Sequence, residues 1–202
     1  MLEKTILVTG FGPFRDHDIN ASWQAVQLLD ASDFAGYKLV KHEVPVTYDY
    51  IDKNIARLWE EHKPIFVLHV GLAEGVNVVR LESLARRKFY QKADASGALH
   101  PTEEVCPADK GPLVHIPQID VGRIVGELDS DQLRFIESTE AGLYLCEYIF
   151  YTSMNIDNSR ILFTHVPNVD EPYSVEELAR GLTMIIHSAL QQLEENENNN
   201  DK

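Results

Sequence analysis

A three-layer α/β/α sandwich in one domain, with a mostly parallel central sheet, is the fold this sequence predicts, on three observations. Short β-branched apolar runs alternate along the chain with segments of helical spacing. The runs are apolar at consecutive residues, as in strands covered on both faces. The 202 residues suffice for one domain with a full hydrophobic core and are short for two.

Taken in order, Thr5 to Thr9 is a buried strand ending at Gly10, and Ser22 to Leu29 has helical spacing. Tyr37 to Val44 alternates like a half-exposed strand closed by Pro45. Ile51, Ile55, Leu58 and Trp59 form the stripe of an amphipathic helix. Pro64 to Gly71 is the clearest buried strand, and Val76 to Leu84 reads as another. From Ala85 to Pro117 regularity is lost, and a loop this long inside a domain is usually functional or mobile. Asp120 to Leu128 is a short helix and Leu133 to Glu137 a strand. The segment around Cys146 is helical through about Ser153: Gly142 favours a start near Leu143, whereas Thr139 as N-cap would move Cys146 to the second turn. Arg160 to Thr164 is the last buried strand. Ser174 and Glu177 form a capping box opening a helix with Leu178, Leu182, Ile185, Ala189 and Leu193 on one face. The domain therefore spans residues 1–193, and the acidic, Asn-rich stretch 194–202, which lacks apolar side chains, is expected to be a disordered tail.

Composition narrows the function. The net charge of -14 disfavours binding to nucleic-acid phosphates or to an anionic membrane. No apolar run approaches the roughly 20 residues of a membrane span. Two cysteines make no disulfide framework and the N-terminus has no signal-peptide pattern, so a cytosolic location is expected. Nothing points to a cofactor. His100, Cys106 and His115 could be drawn as a metal trio, but without a second ligand pair the spacing argues against it.

In an α/β sheet ligands bind beyond the carboxyl ends of the strands. Gly10 to Phe14, Gly71 to Gly75, and His165-Val166-Pro167 all follow strands there. A phosphate site at Gly10-Phe11-Gly12 fails in detail, since Pro13 removes an amide and two phenylalanines stand where donors are needed. Cys146 lies in an apolar, aromatic run, where a cysteine can be core filler. A nucleophilic thiol needs a base and a group to orient that base. Glu82 and either of two histidines offer these: His69 and His165 each end a buried run ahead of Val and a turn residue. The residues alone leave that choice open.

Four segments in order resemble pyroglutamyl-peptidase I, or pyrrolidone-carboxylate peptidase: Val8 to Phe14 with Asn20 after it, His69 to Ala73 with Glu82, Ala141 to Cys146, and His165-Val166-Pro167. The resemblance runs from Leu7 to about Leu190. It implies a cytosolic cysteine-type omega peptidase of α/β/α fold that hydrolyses the N-terminal pyroglutamyl residue from peptides. Cys146 would be the nucleophile, His165 the base and Glu82 the orienting acid. His69 then becomes a structural histidine, and His17, His42, His62, His100, His115 and His187 are read as facing solvent. Phe11, Phe14, Asn20, Val46, Gly71, Tyr144 and Leu145 would form the substrate pocket, with oxyanion donors among backbone amides near Cys146 and near Gly71 to Gly75. The run Arg86 to Asp94 departs from the bacterial pattern and is closer to the animal branch, and the stretch between Cys146 and His165 is shorter. The assembly reads as a monomer or small homo-oligomer. The alternative is a weak or inactive paralogue acting as a binding protein.

Overall fold

The computed structural model describes residues 4–14, 20–87, 90–100, 111–130 and 132–200. Strands β1 (Lys4–Phe11), β2 (Tyr37–Val44), β3 (Phe66–Leu72), β4 (Val79–Glu82), β7 (Phe135–Ser138) and β8 (Ile161–Val166) form one sheet in the order β2-β1-β3-β8-β4-β7. A second, two-stranded sheet joins β5 (Ala85–Arg86) and β6 (Val114–His115). β2, β1, β3 and β8 are parallel; β4 pairs antiparallel with β8, and β7 is parallel to β4.

Helices cover both faces. α1 (Ala21–Gln27), α3 (Val121–Leu128) and α5 (Val175–Asn200) lie on one, α2 (Tyr48–His62) and α4 (Leu145–Asp157) on the other. The pleat divides the strands accordingly. Ile6, Val8, Leu68, Val70, Leu81 and Leu162 enter the first core; Leu7, Val67, Ile161 and Phe163 enter the second. The predicted stripe of α2, Ile51, Ile55, Leu58 and Trp59, is buried in that second core. Each such side chain contributes about 1.5–3 kcal/mol by leaving water. The α5 capping box forms as expected, with Ser174 N–H donating to Glu177 Oε2 at 2.9 Å and Glu177 N–H to Ser174 Oγ at 3.2 Å.

Four features differ from the sequence reading. β4 covers only Val79–Glu82, because its pairing with Phe135 begins at Val79. The segment 85–117 is anchored rather than loose where it is described. Tyr90, Asp94 and His100 are buried, and Ala95 N–H donates to Val46 O at 3.0 Å. His100, read as solvent-facing, is 3% exposed, with Nε2 2.6 Å from the Tyr148 hydroxyl and its ring edge-on to Tyr48. α5 continues past Leu193 to Asn200, where a disordered tail was expected. Glu194 accepts from Tyr37 Oη at 2.8 Å and Glu195 from Arg123 Nη1 at 2.6 Å, so distant residues hold those two turns. Cys106 and His17 lie outside the described residues. Among the described residues no helix is long and apolar enough to cross a membrane.

Candidate active site

Cys146 is the second residue of α4, which resolves the choice of helix start in favour of the first turn. The chain enters α4 through Gly142 at φ 100° and Leu143 at φ 49°. Glycine takes that geometry freely, while a leucine there costs about 1–3 kcal/mol and persists only when its surroundings hold it. Glu147 does so. Its Oε2 accepts the Leu143 N–H at 2.8 Å, and its Oε1 accepts the Arg86 N–H at 2.8 Å, with the Arg86 guanidinium 3.6 Å away. This buried carboxylate was not singled out from the sequence, although an acid inside Leu145-Cys146-Glu147-Tyr148-Ile149 is a signal, since such a group needs partners. Tyr144 occupies the N-cap position without a side-chain cap bond. The positive end of the α4 dipole therefore stays directed at the thiol.

β3 passes beneath the thiol. A Cβ on Gly71 would lie 2.8 Å from Cys146 Sγ, 2.8 Å from Phe163 Cζ and 3.2 Å from His165 Cδ2. Gly71, expected in the substrate pocket, is instead the floor on which the thiol rests. His165 pairs with Gly71 across the β3–β8 ladder, which sets the imidazole beside Cys146. On its other side, β4 places Glu82 opposite Phe163 and Arg80 opposite His165. The two-residue period puts all four side chains on the α4 face, and Glu82 reaches His165 along the diagonal. Its Oε1 lies 2.8 Å from His165 Nδ1, leaving Nε2 as the free ring nitrogen of an imidazole that shares the Gly71 surface with Cys146 Sγ. Glu82 is wholly buried, and among the described residues its Oε2 has no hydrogen-bond partner. Burial alone would lower the His165 pKa, but the charge and hydrogen bond of Cys146, followed by those of Glu82, outweigh it and raise the pKa to about 9.

Cys146 and His165 form one wall of a pocket of about 390 Å³ at the carboxyl edge of β1, β3 and β8. Phe11, Phe14, Asn20, Val46, Tyr144 and Leu145 line it, so six of the seven expected pocket residues come together. Phe14 and Tyr144 face each other with ring centroids 5.7 Å apart and planes at 45°. Phe11 also belongs to the α2–α4 core. Asn20 lines the pocket as a brace: Nδ2 donates to Gly12 O at 3.0 Å, and Oδ1 accepts the Ser22 N–H at 3.0 Å as the N-cap of α1. The segment 90–98 buttresses the outer side, where Ala93 O accepts the Tyr144 hydroxyl at 3.0 Å. Asp94 secures that segment by accepting backbone N–H groups of Tyr48, Ser96 and Ala98.

The competing readings lose their groups to internal bonds. His69 is 1% exposed and has Thr9 Oγ1 and Ser153 Oγ each 2.7 Å from a ring nitrogen, so it is a satisfied core residue. At the first loop, Phe11 N–H donates to Ser22 Oγ and Gly12 N–H to Val44 O, and a Cβ on Gly12 would meet Glu43 Oε1 at 2.6 Å. A phosphate would find no free amide there and a carboxylate nearby. Among the described residues no cluster of His, Cys, Asp or Glu is spaced to hold a metal ion.

A family model described as pyroglutamyl peptidase matches residues 4–193. The chain belongs to the pyroglutamyl peptidase family. Pyroglutamyl-peptidase 1 of Homo sapiens is 37% identical over 198 residues, covering 96% of this chain and 93% of its own. The pyrrolidone-carboxylate peptidase of Bacillus licheniformis is 29% identical, covering 89% of both. The higher identity with the human protein agrees with the animal-branch character of the run Arg86 to Asp94. Pyrrolidone carboxyl peptidase from Thermococcus litoralis, 23% identical, superposes with a TM-score of 0.86 over 96% of each chain, which establishes the common fold.

Proposed function

We propose that this pyroglutamyl peptidase cleaves through Cys146, with His165 as base and acid and Glu82 as the residue that orients the histidine. What carries the assignment is the line Glu82–His165–Cys146 laid across adjacent strands onto Gly71, at the wall of a small aromatic pocket. As thiolate, Cys146 attacks the carbonyl of the pyroglutamyl residue, forming the Sγ–C bond. The oxyanion develops against the uncapped amides of Leu145 and Cys146 at the start of α4. As the C–N bond breaks, His165 Nε2–H protonates the departing amine; a water, deprotonated by the same nitrogen, then releases pyroglutamate from the thioester. Glu82 fixes the tautomer by accepting from Nδ1–H and favours the imidazolium.

The lactam ring is flat, small and uncharged. Phe11, Phe14 and Tyr144 offer it aromatic surface, and the pocket of about 390 Å³ leaves space beside it for the residue that follows. A free N-terminal Glu or Gln would have to desolvate its ammonium against those rings, which disfavours it. A reducing compartment such as the cytosol suits a reaction that depends on a free thiol. The test is a fluorogenic pyroglutamyl amide assayed with and without a thiol alkylator, in wild type and in Cys146→Ser. Turnover that survives alkylation, or wild-type kcat in Cys146→Ser, removes the mechanism. Phe14→Ala is expected to cost about 1–3 kcal/mol in kcat/KM, the scale of one lost hydrophobic contact. A lower melting temperature with unchanged kcat/KM would make Phe14 a core residue only.

A further inference from the structure

β4 runs against β8, so its first residues lie at the carboxyl edge, where the pocket opens, and Arg80 stands directly opposite His165. Arg80 is half-buried and lines the pocket. Among the described residues its guanidinium makes no hydrogen bond or ion pair, and Nε is sealed from solvent without an acceptor. The neighbouring acids are engaged elsewhere: Glu140 with Arg86 at 2.9 Å, and Glu82 with His165 at 2.8 Å. Glu74, exposed on the same rim, makes no ion pair with Arg80. A planar cation without a partner, beside a reacting centre, is suited to receive a carboxylate.

The order of the strands says where that carboxylate belongs. Of the ring walls, Phe11 ends β1 and Phe14 and Val46 follow β1 and β2; Cys146 stands over Gly71 of β3; His165 is on β8 and Arg80 on β4. With the lactam over β1 and the scissile carbonyl at Sγ, the departing amine meets His165, and the residue that carries it lies over β4. We propose that Arg80 is a specificity-determining residue that selects pyroglutamyl peptides whose first leaving residue presents a carboxylate. The carboxylate is either that of an Asp or Glu side chain or the free α-carboxylate of a pyroglutamyl dipeptide. The inference rests on the roles assigned above to Cys146 and His165.

The experiment measures kcat/KM for pyroglutamyl-Glu-Ala-amide against pyroglutamyl-Gln-Ala-amide, and for pyroglutamyl-Ala with a free against an amidated C-terminus. Each ratio is taken within one enzyme preparation, so the fraction of folded protein cancels. Wild type is expected to favour the carboxylate substrate in at least one pair by roughly tenfold or more, the discrimination of one charge-assisted hydrogen bond. The first pair reads the side-chain source and the second the α-carboxylate source. Arg80→Gln should bring the favoured ratio to about one, and Arg80→Lys should restore part of it, as expected of a charge without the planar fork. Ratios near one in wild type, or a preference that persists in Arg80→Gln, overturn the assignment. The uncharged fluorogenic pyroglutamyl amide separates the two levels. If wild type turns it over without any carboxylate preference, only the role of Arg80 falls; if wild type fails to turn it over, the proposed function falls and takes Arg80 with it.

Discussion

Two buried histidines on neighbouring strands of the same sheet face show how partners rather than burial decide what an imidazole can do. His69 on β3 and His165 on β8 are both less than a tenth exposed, and both contact the helix α4 side of the sheet. His69 has only the neutral hydroxyls of Thr9 and Ser153, and burial pushes its pKa down to about 3, so it stays uncharged. His165 feels the same burial, but the negative charge of Cys146 and the carboxylate of Glu82 raise it to about 9. The first histidine joins helix to sheet, whereas the second can hold and transfer a proton.

Breaking the pair at the thiol has the largest expected effect. Cys146→Ala or His165→Ala should lower kcat by on the order of 10⁴-fold or more, since in the proposed mechanism nucleophile and base act as one unit. In Cys146→Ala the His165 pKa, followed by NMR, should fall from about 9 while that of His69 stays low; an unmoved His165 would show that the thiol does not hold its proton. Glu82→Gln comes next, with a loss of about 10²–10⁴-fold in kcat/KM, because orientation and charge go but proton transfer remains possible. Its alkaline limb should move toward lower pH. Wild-type kcat/KM in Glu82→Gln from pH 6 to 8 would assign the histidine another acid.

Stability against pH sharpens the contrast, because the two residues act with opposite sign. The raised pKa of His165 gives stability that is fully present below about 6.5 and is lost as pH climbs through about 9. The depressed pKa of His69 gives stability that is present above about 6.5 and is lost as pH falls toward about 3. Melting temperature should decline on both sides, and Glu82→Gln should flatten the alkaline decline alone. The smallest change concerns His69→Leu, which strands the Thr9 hydroxyl. It should cost about 1–3 kcal/mol of stability in a denaturant titration. Its kcat/KM per folded molecule should stay within about threefold, the scale of context effects around a core site.

Much of this contrast was readable from residue order. The buried runs of β1, β3 and β8, the stripe of α2 and the capping box of α5 are local patterns, and each element formed where its pattern lies. The same patterns left His69 and His165 equivalent, since each is a histidine closing an apolar run. Their difference arises from residues distant in the chain: Ser153 for one, Glu82 for the other. The burial of His100 against Tyr148 escaped for the same reason, as did the extension of α5, which depends on Arg123 and Tyr37. Strand direction leaves no trace in a four-residue run, so the reversal of β4, and with it the position of Arg80, could not be read locally. Glu147 could have been read, as a lone acid in an apolar helix.

That short reversed strand also behaves as a two-position setting. Along Val79-Arg80-Leu81-Glu82, alternate residues face α4 and the α5 core. A single residue inserted between Arg80 and Leu81 would turn the Glu82 carboxylate into the apolar layer and put Leu81 in its place beside His165, with no intermediate arrangement available. Length variation on this side of the site must therefore be taken up in the turns that flank β4. Exchange of a side chain leaves that alternation in place, whereas a change of count inverts it.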